Sequence, residues 1–182
     1  EPVADFFDAI AVSEAEPVLP ALVEALKEAV ELDRPDALKR LAQVPGIYVP
    51  SIHQPEGPGR QPVAKRLFAP DMDAFATHSV VLTRDTELGD MFLMEVARGC
   101  GRGCRFCLAG YVFRPVRPRS LDHLLQTAKR GLQHRDRIGL VGPSVTDYEQ
   151  IDELVSRLRS LGAKVSFSSI RMERLSETIV QA

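Results

Sequence analysis

Residues 91–107 read MFLMEVARGCGRGCRFC, and this stretch decides the fold. Met91 to Ala97 is an apolar run broken only by Glu95, short enough for a strand and too short for a helix. A tight glycine-rich loop follows, carrying Cys100, Cys104 and Cys107 in the spacing C-x3-C-x2-C. Working outward, Ser120 is placed to cap a helix whose inner face is Leu121, Leu124, Leu125, Ala128 and Leu132. Ile138 to Val141 is a second strand. Thr146 and Glu149 have capping-box spacing for another helix, with Tyr148, Ile151, Leu154, Val155, Leu158 and Leu161 on its buried side. Gly162 ends that helix, Lys164 to Ile170 makes a third strand, and a further helix starts before Ala182. Strand–helix alternation with short links predicts a parallel α/β sheet with crossover helices.

The region before Met91 is different. Residues 9–12 form a short apolar run, and Leu19, Leu22, Val23, Leu26 and Val30 then recur at helical spacing. Pro35 opens a second short helix, where proline is tolerated, and residues 46–50 look extended. From Pro50 to Pro62 there are four prolines and two glycines in thirteen residues, which predicts a linker or surface loop. Thr77 to Thr83 reads as a strand. The organisation expected is a helical and connecting segment at 1–49, a linker at 50–76, and a truncated core domain at 77–182. The chain opens on Glu1 and closes at Ala182 inside the expected last helix, and is therefore read as part of a longer protein.

Composition excludes several classes. At 45% hydrophobic and 26% charged, with net charge -2, the 182-residue chain suggests neither a nucleic-acid nor a membrane partner. No apolar run reaches the roughly 20 residues of a membrane span. The three cysteines are an odd number confined to eight residues, a poor disulfide framework. A reducing, cytoplasmic compartment fits better.

Three thiolates on one short loop can converge on a single compact centre, and thiolates favour iron–sulfur clusters, zinc and Cu(I). Gly99, Gly101 and Gly103 let the backbone curl closely around such a centre. Three ligands leave one iron of a four-iron cluster open. A structural zinc site, with His123 or His134 as fourth ligand, or incidental free cysteines are the alternatives. Arg98, Arg102, Arg105, Arg114, Arg117 and Arg119 lie near the loop with no acidic residue among them. They suit an anionic substrate, the charge of a cluster, or simply a solvated loop.

C-x3-C-x2-C at the exit of a first strand, with aromatic Phe106 before the last cysteine, resembles the signature of the radical S-adenosylmethionine (radical SAM) superfamily. The longer string EVARGCGRGCRFCLAGYVFRPVRPRS is similar to a group with a cobalamin-binding-like domain ahead of the radical domain. Residues 71–182 carry that likeness, and SEAEPVLPALVEAL within 9–30 resembles the tail of the preceding domain, with Ser13-Glu14-Ala15-Glu16 where the group often has Gly-Glu-Gly-Glu. The resemblance implies the first half of a (βα)6 partial TIM-type barrel. It implies a [4Fe-4S] cluster on Cys100, Cys104 and Cys107, whose open iron is chelated by S-adenosylmethionine. Reductive cleavage then gives methionine and a 5′-deoxyadenosyl radical, the cofactor carrying the hard chemistry.

The resemblance also implies cosubstrate contacts. Phe106 falls where an aromatic residue lies near the adenine. Gly142 and Ser144 fall where the family has a Gly-Gly-Glu-like segment, though the acid is absent. Ser168 and Arg171 fall where ribose and carboxylate contacts are common, and a guanidinium fork suits a carboxylate. Implied partners are S-adenosylmethionine, an electron donor such as flavodoxin or ferredoxin, and a substrate that the residues do not identify. Cobalamin-dependent radical methyl transfer and methylthiotransferase-like modification of RNA or protein are the enzymatic alternatives, with cobalamin carried by the longer protein in the first. An electron-transfer iron–sulfur protein and a zinc-stabilised interaction module are the alternatives of another class.

Overall fold

A computed structural model describes residues 3–53 and 64–182. Much of the Pro/Gly-rich stretch expected as a linker lies outside the described residues. The chain divides between Pro70 and Asp71 into two compact units.

The first unit holds β1 (Ile10–Ala11), α1 (Ala15–Ala29), α2 (Arg34–Ala42) and β2 (Ile47–Tyr48). β1 and β2 pair antiparallel, Ile10 opposite Tyr48. Helix α2 starts because the Asp33 carboxylate accepts the Asp36 N–H at 3.0 Å, with Pro35 in the first turn where no N–H is missed. Val18, Ala25, Leu41, Val44, Ile47 and Val49 form the core. Of the stripe that signals α1, only Leu22 packs on this core. Leu19, Val23, Leu26 and Val30 are exposed, whereas Val18, Ala25 and Ala29 are buried. The inward line runs through Val18, Leu22, Ala25 and Ala29.

The second unit is built on a parallel sheet of β3 (Met91–Glu95), β6 (Arg137–Val141) and β7 (Lys164–Phe167), with β6 in the centre. Between β3 and β6 lie β4 (Ala97–Arg98), α3 (Ala109–Val112), β5 (Arg117–Pro118) and α4 (Leu121–Gly131). Helix α5 (Ile151–Ser160) joins β6 to β7, and α6 (Glu177–Val180) follows. Met91 pairs with Arg137 and Arg137 with Lys164, so the three strands start level. Phe92, Met94, Ile138, Leu140 and Val165 pack under Leu124, Ala128, Leu154, Val155 and Leu158 in one core. Helices thus cover the face of β3 that carries Phe92 and Met94. Leu93 and Glu95 on the other face are only half-buried. This is the expected α/β architecture, a partial TIM-type fold.

Local chemistry follows the expectation in most places. Ser120 Oγ accepts the His123 N–H at 3.2 Å and caps α4. Gly162, at φ +83°, takes the left-handed conformation that ends a helix.

Three expectations are corrected. Residues 77–83 are not a strand. Thr77 O and Ser79 N bond Glu95 N and Leu93 O, but Ser79 Oγ then takes the Leu93 N–H. A side chain replaces a backbone partner there, and Val80 and Val81 stand exposed beyond it. The third strand stops at Phe167, three residues early, because Ser168 turns its hydroxyl to the Gly142 backbone. Thr146 does not cap a helix either. It is buried in a single turn at Val145–Asp147, its Oγ1 accepts the Arg171 N–H at 2.9 Å, and α5 begins only at Ile151.

Candidate functional site

The cysteine loop leaves the sheet through a two-rung clasp, Ala97 opposite Pro118 and Arg98 opposite Arg117. Gly99 has φ +83°, and a Cβ there would collide with the carbonyl oxygens of Phe113 and Pro115. Only glycine fits that close approach. Arg117 donates to those same two carbonyls, Nε to Pro115 O at 3.0 Å and Nη2 to Phe113 O at 3.1 Å. Within the loop, Cys104 O accepts the Cys107 N–H at 3.1 Å, and Tyr111 OH donates to Gly103 O at 3.2 Å. Arg114 lies 4.7 Å over the Tyr111 ring, a cation–π contact, and donates to Arg102 O at 3.3 Å.

All three cysteines are free thiols; Cys100 and Cys107 are half-buried and Cys104 is exposed. Cys100 Sγ accepts the Arg102 N–H at 3.4 Å. The donor set suits an iron–sulfur cluster: three soft ligands on one pliable loop, with an N–H already directed at sulfur. The fit lies in that chemistry. Among the described residues no three His, Cys, Asp or Glu side chains stand together in a metal-holding group.

A cavity of about 570 Å³ opens beside the loop, lined by Ala97, Gly99, Cys100, Ser120, Ser144 and Asp147 among others. Its size is typical of a small-molecule site. It lies at the carboxyl ends of β3 and β6, the edge of a parallel sheet where ligands collect. Tyr148 also lines it, and its hydroxyl donates to Arg119 O at 3.0 Å. Burial pushes that phenol up to about 12.

The arginines are used by the protein itself. Arg98 bonds Glu95 through Nε at 2.9 Å and Nη2 at 3.0 Å. Arg119, 2% exposed, donates to Met72 O, to Phe75 O at 2.6 Å, to Thr77 Oγ1 at 2.6 Å and to Glu95 Oε2 at 3.1 Å. Burial works to raise the Glu95 carboxyl, but hydrogen bonds from Arg98 and Arg119 outweigh it and hold it below its ordinary value. Arg102 bonds Asp147 with Nη2 at 2.9 Å and Nε at 3.2 Å. Arg98, Arg102, Arg114, Arg117 and Arg119 therefore brace the loop and its base. The expected rim for an anionic substrate is largely engaged.

Asp147 was hidden in the sequence, because Thr146 and Glu149 suggested a helix cap across it. It also faces Arg171 Nη1 at 3.7 Å and Arg174 Nε at 3.5 Å. Hydrogen bonds from Arg102 hold its carboxyl down at about 2 against the opposing effect of burial, and the charges of Arg102 and Arg171 add to the lowering. Its visible signal was position: it is the first acid after β6, on the cavity edge of the sheet.

Two family models match the chain. Radical SAM proteins, N-terminal, matches residues 1–50, and the Radical SAM superfamily model matches residues 94–177, from within β3 into α6 and across all three cysteines. The chain belongs to the radical SAM superfamily. An uncharacterized protein of Methanocaldococcus jannaschii is 40% identical over 95 residues, 51% of this chain and 21% of that protein. The chain thus spans about a fifth of the curated relative it matches.

The radical SAM residues expected to contact the cosubstrate do not all meet. Gly142 and Ser168 do: Gly142 N donates to Ser168 Oγ at 3.3 Å. Ser144 lines the cavity with Cys100. Arg171 pairs with Asp147 and with Glu173. Phe106 is 92% exposed on the loop surface and lies apart from the cavity lining. No helix among the described residues is long and apolar enough to cross a membrane.

Proposed function

We propose that this chain is the cluster-bearing part of a radical SAM enzyme, holding a [4Fe-4S] cluster on Cys100, Cys104 and Cys107 and receiving S-adenosylmethionine beside it. The observation that carries the reading is the three-thiol loop at the carboxyl end of β3, beside a cavity that Cys100 itself lines, inside the superfamily match. When bound, the cluster supplies the electron for reductive cleavage of the sulfonium. The protein's share is position and exclusion of water. The backbone around Gly142, fixed by Ser168, offers polar groups to the amino-acid end of the cosubstrate. Arg171, which pairs with Asp147 and Glu173, would exchange the Glu173 contact to offer its fork to the carboxylate. Ser144 stands on the cavity wall, and Phe106 is free to close over the adenine. The substrate and the electron donor, such as a flavodoxin or ferredoxin, belong to the longer protein's activity. Cobalamin enters only through the likeness of residues 9–30 to a cobalamin-binding tail.

The test is anaerobic reconstitution of the chain with iron and sulfide. Four irons per chain and a low-temperature paramagnetic signal on reduction that changes with S-adenosylmethionine are expected, both lost in Cys104→Ala. Zinc bound near one equivalent without sulfide, or an iron signal indifferent to S-adenosylmethionine, would defeat the proposal.

A further inference from the structure

Three arginines from two separate stretches converge on one carboxylate. Asp147, in the turn after β6, takes both donors of the Arg102 fork and faces Arg171 and Arg174 beyond β7. Arg102 is the residue midway between Cys100 and Cys104. Its N–H donates to Cys100 Sγ at 3.4 Å, and its carbonyl accepts from Arg114 at 3.3 Å. Between Val96 and Ser120 the chain has no acid, so the loop contains no countercharge for Arg102. Asp147 supplies it from another strand end. A fork–carboxylate pair fixes direction as well as distance, which a lone lysine would not.

Deepening the reading above, on which it rests, we infer that Asp147 is a positioning residue for the cluster loop. It holds the Arg102 guanidinium beside Cys100 and Cys104 and ties that loop to the ends of β6 and β7. Neither residue touches the reacting atoms; both act through the thiolates. Two consequences separate. Losing either partner releases the loop, so the cluster is held less firmly. The charge beside the cluster moves in opposite senses: removing Asp147 leaves Arg102 uncompensated, and removing Arg102 takes the positive charge away. Positive charge beside an anionic cluster favours its reduced form.

The whole chain, reconstituted anaerobically, is compared as wild type, Arg102→Gln, Asp147→Asn, the double variant, and Arg105→Gln. Iron loss to a chelator and the cluster midpoint potential are read. Both single variants are expected to lose iron roughly tenfold or more faster, the range typical for groups that orient a metal's ligands. Their potentials are expected to shift in opposite directions, upward for Asp147→Asn and downward for Arg102→Gln. The double variant is no worse than the worse single, because the two residues act as one unit. Arg105→Gln, with the same charge change on the same loop, keeps iron at the wild-type rate.

Wild-type retention in both single variants, or potentials that move together, overturns the inference while leaving the function proposal standing. A wild-type chain that takes up no cluster removes the function proposal and this inference with it. Should Asp147→Asn fail to fold, Arg102→Lys decides, since it keeps the charge and loses the fork. Faster iron loss supports the inference, and wild-type retention overturns it.

Discussion

Glu95 accepts Nη2 of Arg119 at 3.1 Å, joining the one charged position of β3 to an arginine just before α4. The same guanidinium gathers the carbonyls of Met72 and Phe75. A side chain that the sequence marks as an interruption of an apolar strand thus holds the arginine that anchors residues 72–77. Arg119→Met leaves one buried and two half-buried acceptors short of a donor and Glu95 short of a cation. It is expected to cost on the order of 3 kcal/mol, read as a lower urea midpoint for the second unit. A change under about 0.5 kcal/mol, the usual size for surface substitutions, contradicts the anchor.

Acid should reach the second unit partly through Asp147. Its folded-state value, about 2, lies below its ordinary value of 3.8. A depressed carboxylate contributes stability in full above the unfolded value and loses it as pH falls through the folded one. Between about pH 4 and pH 2 the urea midpoint should fall more steeply for wild type than for Asp147→Asn. Parallel slopes would show that the arginines around Asp147 do not bind it in solution.

Gly131 lies in the last turn of α4, where helix propensity alone favours alanine by about 1 kcal/mol. A Cβ there would run into the Phe92 ring of β3. Overpacking of this kind typically costs about 1–3 kcal/mol, so Gly131→Ala is expected to destabilise. Phe92→Leu in the same chain should recover part of the loss, and thermal melts of the two variants and their combination check it. A stabilised Gly131→Ala would show that the sheet and helix have room to part.

In α1, Val23→Gln and Leu26→Gln should leave the unfolding midpoint within about 0.5 kcal/mol, because both side chains face outward. Ala25→Leu, at a fully buried position, should unfold the first unit more readily. The reverse ranking would place the aliphatic stripe inward after all.

The alternation of strands and helices after Met91 was legible because each βαβ unit leaves a periodic imprint: MFLME and RIGLV for buried parallel strands, Leu121 to Ala128 for a helix face. The loop was legible from three thiols with glycines between them. What escaped was decided by single long-range partners. The strand expected at 77–83 failed because one hydroxyl, Ser79, took the Leu93 N–H that the Ser79 carbonyl would have accepted in a ladder. The buried face of α1 was misleading because its inward line includes Ala25 and Ala29, which carry a weaker apolar signal than the exposed Val23 and Leu26. Asp147 carries no local pattern at all; its meaning depends on three arginines between 24 and 45 positions away in the chain. Arginines that look like a binding surface in one dimension turn out to be braces once the carbonyls they reach are in view.

The two-rung clasp at Ala97–Arg98 and Arg117–Pro118 has a consequence for how this part of the protein can vary. Everything between its rungs is a closed excursion whose ends are fixed by the clasp, so apart from the Arg102–Asp147 tie its length is nearly independent of the core beneath. Doubling such a loop costs only about 0.6 kcal/mol in closure entropy. The segment is therefore suited to transplantation: a longer or differently decorated version, cut at the rungs, should seat on the same three strands without refolding them.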